Sequence, residues 1–293
     1  MLTLSLLHRT VYRYSKPVQL LPHRLQLRPR EGQELKLLRH EIACVPHAAI
    51  SWSKDVFGNE IAVASFAVTT DRLTIESTAT VELYASSWPV FDIDVSAIAY
   101  PFNYAEGDWI DLGALTVPQY EDEKGKLPQW ARSFIASSST DTLSLLKDLN
   151  LGVNRQIAYQ SREDAGTQSP VHTLLRGWGS CRDLSILLVE SARVLGFGAR
   201  IVSGYLLPLE PRTVGTGATH AWAEIFVPGP GWIAFDPTNG TMGGAGLIPT
   251  TVARGIFQAV PASGSFVGPS DAFKSMEVEV IVREAFDSWS GER

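Results

Sequence analysis

The chain has 293 residues, of which 45% are hydrophobic and 19% are charged, and its formal net charge is −6. This length allows about two domains with a sizeable core, and the composition excludes intrinsic disorder over most of the chain. The acidic balance argues against a nucleic-acid-binding protein, because contacts to phosphates need a basic surface. No run of about 18 apolar residues occurs, so we expect no membrane-spanning segment.

The N-terminus and the two cysteines indicate in which cellular compartment the protein is expected. Residues 1–10 have no basic segment before their apolar stretch, so we interpret them as a strand and not as a signal peptide. The two cysteines, Cys44 and Cys181, lie far apart, which excludes a disulfide framework and a cysteine-based structural zinc site. A cytoplasmic location is the simplest setting. We expect neither a metal nor a cofactor, since the histidines outside the motifs described below lack the spacing of metal ligands.

The first hundred or so residues are predicted to form β-structure. From Leu73 to Leu83, apolar and polar residues alternate with a period of two, which is typical of a half-buried antiparallel strand. Weaker alternation occurs at residues 10–14 and 61–66, and the pair Gly58-Asn59 is suited to close a hairpin. Short strands separated by turns favour an antiparallel β-sandwich, which we assign to residues 1–115.

The second part of the chain, which we assign to residues 116–293, combines helices and strands. No helical period is evident before about residue 127, and residues 88–120 contain three prolines, so we interpret this segment as an irregular connection. Farther on, apolar residues repeat every four positions from Leu145 to Ile157, and a stronger apolar stripe extends from Leu184 to Leu195. Strands are then predicted at residues 199–206, 221–227, 232–236 and 277–283.

Residues 177–183, Gly-Trp-Gly-Ser-Cys-Arg-Asp, lie directly before the stronger of the two predicted helices. Ser180 and Asp183 fit the pattern of a capping box, which would place Cys181 in the first turn of that helix. A thiolate is favoured there, because the unpaired N–H groups and the helix dipole stabilise negative charge and can also receive an oxyanion. A lone cysteine at the start of a helix is more often a small buried residue than a nucleophile. Whether Cys181 is catalytic therefore depends on whether a base and an acceptor occur elsewhere in the sequence.

Two residues of a predicted hairpin supply what a reactive thiol needs. His220 opens the first strand of the hairpin and Asp236 ends the second, with the turn Pro-Gly-Pro-Gly at residues 228–231 between the strands. The two residues would therefore lie on adjacent strands, although the sequence leaves the register open. A thiol needs a base, and the base needs an acceptor that holds its tautomer. Together with Cys181, these residues favour catalysis over three unrelated structural positions.

Three segments carry a resemblance to a known family: Gly179-Ser-Cys-Arg-Asp183, His220-Ala-Trp-Ala-Glu224 and Gly231-Trp-Ile-Ala-Phe-Asp-Pro-Thr238. This combination resembles the bacterial transglutaminase-like superfamily, whose members are often described as candidate cysteine proteases. Residues 8–14 and 25–29 are similar to the β-rich region that precedes the catalytic core in this group. The resemblance implies an α+β chain, in which the N-terminal antiparallel β-sandwich is followed by a papain-like, transglutaminase-like α+β core.

The resemblance also implies a chemical mechanism. Cys181 would be the nucleophile, His220 the general base and acid, and Asp236 the group that orients His220. The thiolate would attack an amide carbonyl to form a thioester, which water or an amine then resolves.

Three further residues are candidates for the surroundings of the thiol. The backbone N–H of Cys181 is the natural first oxyanion donor, and Trp178 or a side chain near Tyr159 would supply the second. Trp222 is a candidate for the wall of the substrate cleft, although core packing is the usual place of a tryptophan near strands.

Three functions stay open at this point. The first is a cysteine-dependent amide-bond hydrolase, most simply a cysteine peptidase that acts on a peptide or protein substrate. The second is a transglutaminase that uses the same residues, because hydrolysis and transamidation differ only in whether water or an amine reaches the thioester. The third is a non-catalytic binding module with the β-sandwich as its recognition surface. The sequence determines neither the physiological substrate nor the oligomeric state.

Overall fold

The computed structural model describes residues 1–161, 166–207 and 218–285. The strands of the first hundred residues are β1 (Leu2–Leu20), β2 (His23–Leu25), β3 (Leu35–Val45), β4 (Ala48–Lys54), β5 (Glu60–Phe66), β6 (Thr69–Leu83) and β7 (Ala99–Tyr100). The helices are α1 (Glu106–Leu112), α2 (Lys126–Arg132), α3 (Thr142–Gln156), α4 (Pro170–Arg176) and α5 (Cys181–Val194). The later strands are β8 (Thr140–Asp141), β9 (Ala158–Tyr159), β10 (Trp178–Gly179), β11 (Ala199–Leu206), β12 (Ala218–Val227), β13 (Gly231–Asp236), β14 (Thr241–Met242), β15 (Leu247–Ala253), β16 (Ala262–Ser263), β17 (Phe266–Val267) and β18 (Phe273–Glu284).

Two antiparallel sheets form the N-terminal sandwich that the sequence predicts. One has the order β17-β1-β6-β3, with β18 also paired to β1, and the other has the order β16-β2-β5-β4. The predicted hairpin at Gly58 and Asn59 is confirmed, because β4 and β5 pair from Ala48↔Phe66 to Lys54↔Glu60. The apolar face predicted for β6 is buried throughout: Leu73, Ile75, Ala79, Val81 and Leu83. This face supplies part of the core between the two sheets.

The last described strand, β18, also belongs to this sandwich. It runs antiparallel to β1 from Leu4↔Glu284 to Tyr14↔Phe273, which confirms the strand predicted at residues 277–283. The predicted division between residues 115 and 116 assigns this strand to the catalytic part, whereas its hydrogen bonds lie in the N-terminal sheet. No local pattern reports this pairing, because its partners lie at opposite ends of the chain. The division itself stays a prediction.

The segment between the sandwich and the core differs from the predicted irregular connection. Residues 88–120 contain the short helix α1 and a 3₁₀ turn at Gly113–Thr116. Within α1 only Leu112 is buried, so the helix has no apolar stripe from which a helical period can be recognised. The prediction of an irregular connection over residues 88–120 is therefore wrong at α1, where a helix forms without a helical period in its sequence.

The second part of the chain is an α+β core around α5. This helix contacts β11 and β12 of a five-stranded sheet, whose order is β14-β13-β12-β11-β15, and it also contacts α2, α3 and α4. The apolar stripes predicted for α3 and α5 meet in one buried cluster, which includes Leu145, Leu149, Leu184, Leu188 and Phe235. Spanning a membrane would need a longer apolar helix than the described residues form.

Two sets of contacts join the sandwich to the sheet of the core. Apolar residues of β1, β6 and β18 form a buried cluster with Tyr205 of β11 and Ile248 of β15. Asn59, which is fully buried, accepts the N–H of Val252 at 3.0 Å and donates to its carbonyl at 2.7 Å. Val252 lies in β15, at the edge of the five-stranded sheet. The sandwich is thereby attached to the sheet that contains the β12–β13 hairpin.

Candidate active site

The cysteine singled out by the sequence lies at the start of the central helix. α5 begins at Cys181, directly after the N-cap residue Ser180. The predicted capping box is present, and the Asp183 carboxylate accepts the N–H and the hydroxyl of Ser180, each at 2.8 Å. The first N–H groups of a helix have no partner within it and give this end a partial positive charge. Cys181 is partly exposed, so this charge acts on a thiol that solvent can reach.

Asp183 also holds a second segment next to the helix start. Its Oδ1 atom accepts the N–H of Gln168 at 2.7 Å, and the Gln168 side chain donates from Nε2 to the carbonyl of Trp178 at 3.2 Å. Asp183 is fully buried, so water does not compete for these bonds. The bonds tie the segment before α4 to the turn that leads into Cys181. No sequence pattern marks Gln168, because every residue type except proline offers a backbone N–H.

The predicted hairpin brings His220 and Asp236 together. β12 and β13 pair antiparallel, with Ala223 opposite Phe235, which determines the register that the sequence leaves open. His220 Nε2 lies 2.8 Å from Asp236 Oδ2, and the two residues are 7% and 1% exposed. Because Nε2 donates its hydrogen bond to the Asp236 carboxylate, Nδ1 is the ring nitrogen that can interact with the thiol of Cys181.

Electrostatics favour a cationic His220 next to the thiol. Burial lowers the pKa of His220, but the hydrogen bonds and charges of Asp236 and Cys181 outweigh burial and raise this pKa to about 9. Burial raises the pKa of Asp236, yet the hydrogen bond and charge of His220, together with the bonds from Asn239, lower it overall. The structure therefore brings Cys181, His220 and Asp236 together, and it favours the cationic form of His220.

Two asparagines hold the loop that follows Asp236. Asn239 donates from Nδ2 to Asp236 Oδ2 at 2.6 Å, and the N–H of Thr238 donates to Oδ1 at 2.9 Å. Asn154 of α3 donates to the carbonyls of Pro237 and Thr238 at 3.1 and 2.8 Å. Sequence reasoning missed both asparagines. A usable signal existed for the turn, since aspartate side chains often accept a backbone N–H two residues on, but none existed for Asn154.

Tyr159 lies beside the backbone that leads to the thiol. β9 and β10 pair in parallel, with Tyr159 opposite Gly179, and the N–H of Gln160 donates to the carbonyl of Gly179 at 2.8 Å. Burial raises the pKa of the Tyr159 phenol and the charge of Cys181 raises it further, so the hydroxyl keeps its proton near neutral pH. Tyr159 is 54% exposed, so its side chain is open to solvent next to the site.

The two tryptophans of the predicted site occupy different environments. Trp178 is partly buried, and the guanidinium of Arg176 lies 4.9 Å from the centre of its ring. Trp222 is 1% exposed, and its ring stacks against His220 with the centroids 6.1 Å apart. It packs behind the imidazole in a buried cluster with Val202. Trp222 therefore lies in the interior and not in the expected wall of the cleft, because Phe57 of the sandwich packs against its cluster.

Two family models match the two parts of this architecture. Residues 128–237 match the Transglutaminase-like superfamily, and residues 4–82 match the Bacterial transglutaminase-like N-terminal region. The core is thus similar to the transglutaminase-like superfamily, and the sandwich is similar to the N-terminal region of bacterial transglutaminase-like proteins. The core match includes Cys181, His220 and Asp236, and the N-terminal match covers the sandwich from β1 to β6.

The matches to individual proteins cover both the sandwich and the core of this chain. Uncharacterized proteins of Mycobacterium tuberculosis H37Rv and Mycobacterium bovis are each 29% identical to it over 248 residues, which cover 79% of this chain and 77% of the relative. Among solved structures, a candidate cysteine protease from Cytophaga hutchinsonii is similar with a TM-score of 0.74 and 20% identity. That match covers 99% of this chain and 94% of the other, so it shows the same fold along the whole length.

Proposed function

We propose that this transglutaminase-like chain is a cysteine-dependent amide-bond hydrolase, in its simplest form a cysteine peptidase that acts on a peptide or protein. One observation carries the proposal: His220 lies 2.8 Å from the Asp236 carboxylate, and Cys181 is near enough to the imidazole to help raise its pKa. In this arrangement a base activates a thiol while an acceptor holds the base. The description of the Cytophaga hutchinsonii protein as a candidate cysteine protease agrees with it. A cytoplasmic location, where thiols stay reduced, is part of the proposal.

The first half of the reaction converts the amide into a thioester. The Cys181 thiolate attacks the carbonyl carbon, a carbon–sulfur bond forms, and the carbonyl π electrons move to the oxygen. The N–H of Cys181 and the hydroxyl of Tyr159 donate to this oxyanion. The His220 imidazolium then gives its proton to the amide nitrogen, the carbon–nitrogen bond breaks, and the amine leaves.

The second half of the reaction releases the acyl group. Neutral His220 takes a proton from water, whose oxygen attacks the thioester carbon. The intermediate expels the Cys181 thiolate as the carboxylic acid forms, and the imidazolium is restored. Asp236 stabilises that imidazolium without taking its proton. A primary amine in place of water would give a new amide, which is the transglutaminase reaction.

The substitution Tyr159→Phe tests the second oxyanion donor. We expect kcat to fall by about 100-fold with little change in KM, because the hydroxyl acts on a charge that develops only after the substrate is bound. Steady-state kinetics on a cleaved peptide measure both constants. An unchanged kcat would show that another group donates to the oxyanion.

Product mass tests the reaction itself. The full chain is incubated with a glutamine-containing peptide, with and without a primary amine, and the products are weighed by mass spectrometry. Hydrolysis gives a cleaved or deamidated peptide whether or not the amine is present, whereas transamidation adds the amine to the peptide and releases ammonia. The Cys181→Ala variant is the matched control and should form neither product. Amine incorporation as the main outcome would replace the hydrolase with the transglutaminase.

Alkylation distinguishes an enzyme from a binding module without a known substrate. Cys44 is an internal reference, because burial raises its pKa to about 11 and keeps it protonated near neutral pH. We expect iodoacetamide to label Cys181 much faster than Cys44 in the folded protein, as measured by mass spectrometry of the peptides. Equally slow labelling of both thiols would contradict the proposal and favour the binding module.

A further inference from the structure

We propose that Asn239 is a positioning residue of the catalytic triad, which holds the Asp236 carboxylate in the orientation that His220 requires. This inference rests on the proposed function of Cys181, His220 and Asp236. Asn239 itself is not expected to touch the substrate or the reacting atoms. It acts through the carboxylate, and its contacts with that group are direct.

The Asp236 carboxylate accepts four hydrogen bonds, two of them from Asn239. Oδ2 accepts from His220 Nε2 at 2.8 Å and from Asn239 Nδ2 at 2.6 Å. Oδ1 accepts from the N–H groups of Thr238 at 2.9 Å and Asn239 at 3.3 Å. A carboxylate offers about four acceptor positions, so the group is saturated and cannot rotate without losing a bond. Asp236 is 1% exposed, so water is poorly placed to replace a lost donor.

Removal of the Asn239 amide has two consequences for the triad. The carboxylate becomes free to turn, because the atom that accepts from His220 loses its other donor. The side-chain bond from Asn239 also lowers the pKa of Asp236, so its loss raises that pKa and lets a proton bind at higher pH. A protonated Asp236 no longer stabilises the imidazolium. The ionised thiol should therefore require a higher pH in the variant.

Asn154 offers a matched control on the same loop. It donates to the carbonyls of Pro237 and Thr238, and within the described part of the chain it makes no hydrogen bond to the Asp236 carboxylate. Gly240 permits this approach, because its φ is +67° and an added Cβ would lie 3.2 Å from the Asn154 side chain. The loop is thus held by one asparagine that touches the charged group and by one that touches only backbone.

The rate at which iodoacetamide alkylates Cys181, measured from acid to neutral pH, tests the inference without a substrate. Asn239→Leu keeps approximately the same shape but removes the side-chain donor. We expect about tenfold slower alkylation at neutral pH and an acid limb that moves up by about one pH unit. Asn154→Leu should keep the acid limb of the wild type, even if its melting temperature falls. Asn239→Ala replaces Asn239→Leu if the latter does not fold.

The outcomes separate the inference from the proposed function. If wild-type Cys181 is alkylated no faster than Cys44, the proposed function itself fails. If wild-type Cys181 is alkylated fast and the folded Asn239 variants show the same alkylation rate and the same acid limb, the inference about Asn239 is overturned, whereas the proposed triad is not. The same holds if Asn154→Leu moves the acid limb as far as Asn239→Leu, because the effect would then come from the loop and not from the carboxylate.

Discussion

His8 in the sandwich and His220 in the core are both buried, at 2% and 7% exposure. Burial lowers the pKa of His8 to about 4, and its hydrogen-bond partner, the Thr10 hydroxyl at 3.0 Å, brings no charge that would oppose this. Burial acts on His220 in the same direction, but Asp236 and Cys181 raise its pKa to about 9. The charge of a buried imidazole in this molecule is therefore decided by its partners and not by its burial.

The two cysteines also differ in the groups that surround them. Cys44 lies half-buried in β3, where desolvation raises the pKa of its thiol to about 11. Cys181 begins a helix and lies near His220, whose pKa is raised to about 9. A cysteine and a histidine of the sandwich thus lack the charged partners that their counterparts in the core have. Each of the following variants changes a residue on one side of this contrast.

The largest effect is expected from Cys181→Ala. Loss of the nucleophile should reduce turnover to the background rate, a fall on the order of a million-fold, because no other group can form the thioester. The protein should still fold, since Cys181 is a small, partly exposed residue at a helix start. Peptide hydrolysis and thermal unfolding measure the two quantities. Full activity of this variant on a substrate that the wild type cleaves would disprove the mechanism.

Asp236→Asn should have the next largest effect. It preserves the shape of the side chain but removes its charge, so turnover should fall by about 10³- to 10⁴-fold with a smaller change in KM. The pKa of His220 should fall from about 9 toward that of His8. An NMR titration of the imidazole measures this directly. A His220 that stays cationic in the variant would mean that Cys181 alone accounts for its charge.

His220 and His8 should make the free energy of unfolding depend on pH in opposite directions. The folded-state pKa of His220, about 9, lies above the ordinary value of 6.5, so the stability that its protonation contributes is complete below pH 6.5 and is lost as pH rises through 9. The folded-state pKa of His8, about 4, lies below 6.5, so its contribution is present above pH 6.5 and is lost as pH falls through 4. Each contribution is at most about 3 kcal/mol.

Urea unfolding at a series of pH values measures these two contributions. Asp236→Asn should flatten the alkaline side of the stability profile, because the pKa of His220 falls. It should also flatten part of the acid side, since the lowered pKa of Asp236 contributes stability that is lost as pH falls through it. His8→Leu should flatten another part of the acid side only, while His23 and His40 keep their share because burial also lowers their pKa values. An unchanged alkaline side in Asp236→Asn, or a changed alkaline side in His8→Leu, would contradict the assignment of charge to these residues.

The smallest effect is expected from Cys44→Ala. Its thiol is protonated near neutral pH and lies in β3, outside the five-stranded sheet of the core. Turnover should therefore equal that of the wild type, and the free energy of unfolding should change by no more than about 1 kcal/mol. Peptide hydrolysis and urea unfolding again supply the measurements. A loss of turnover in a folded Cys44→Ala protein would place a second functional thiol in the sandwich.

Short-range patterns account for what the sequence predicts correctly. The alternation in β6, the apolar stripe of α5 and the capping box at Ser180 and Asp183 each involve neighbours within a few positions, so they are visible in one chain. The order of Cys181, His220 and Asp236 on these elements then suggests the site. The resemblance to the transglutaminase-like superfamily, which the family matches support, extends that inference to most of the chain.

Features that depend on distant contacts are those that the sequence does not predict. The register of β12 and β13 and the burial of Trp222 follow from packing between elements. Asn154 reaches the Asp236 loop from another helix, and no rule of spacing connects the two. α1 is missed for a different reason, because a mostly exposed helix of two turns shows no hydrophobic period.

The pairing of β18 with β1 has a consequence for protein synthesis. β1 is translated before every other described strand, whereas its partner β18 ends at Glu284, so one edge of β1 stays unpaired until almost all of the described chain has been translated. Open strand margins attract other chains through their free N–H and C=O groups. The nascent polypeptide is therefore vulnerable to aggregation throughout translation, and recombinant fragments that end near residue 115 should keep that weakness permanently.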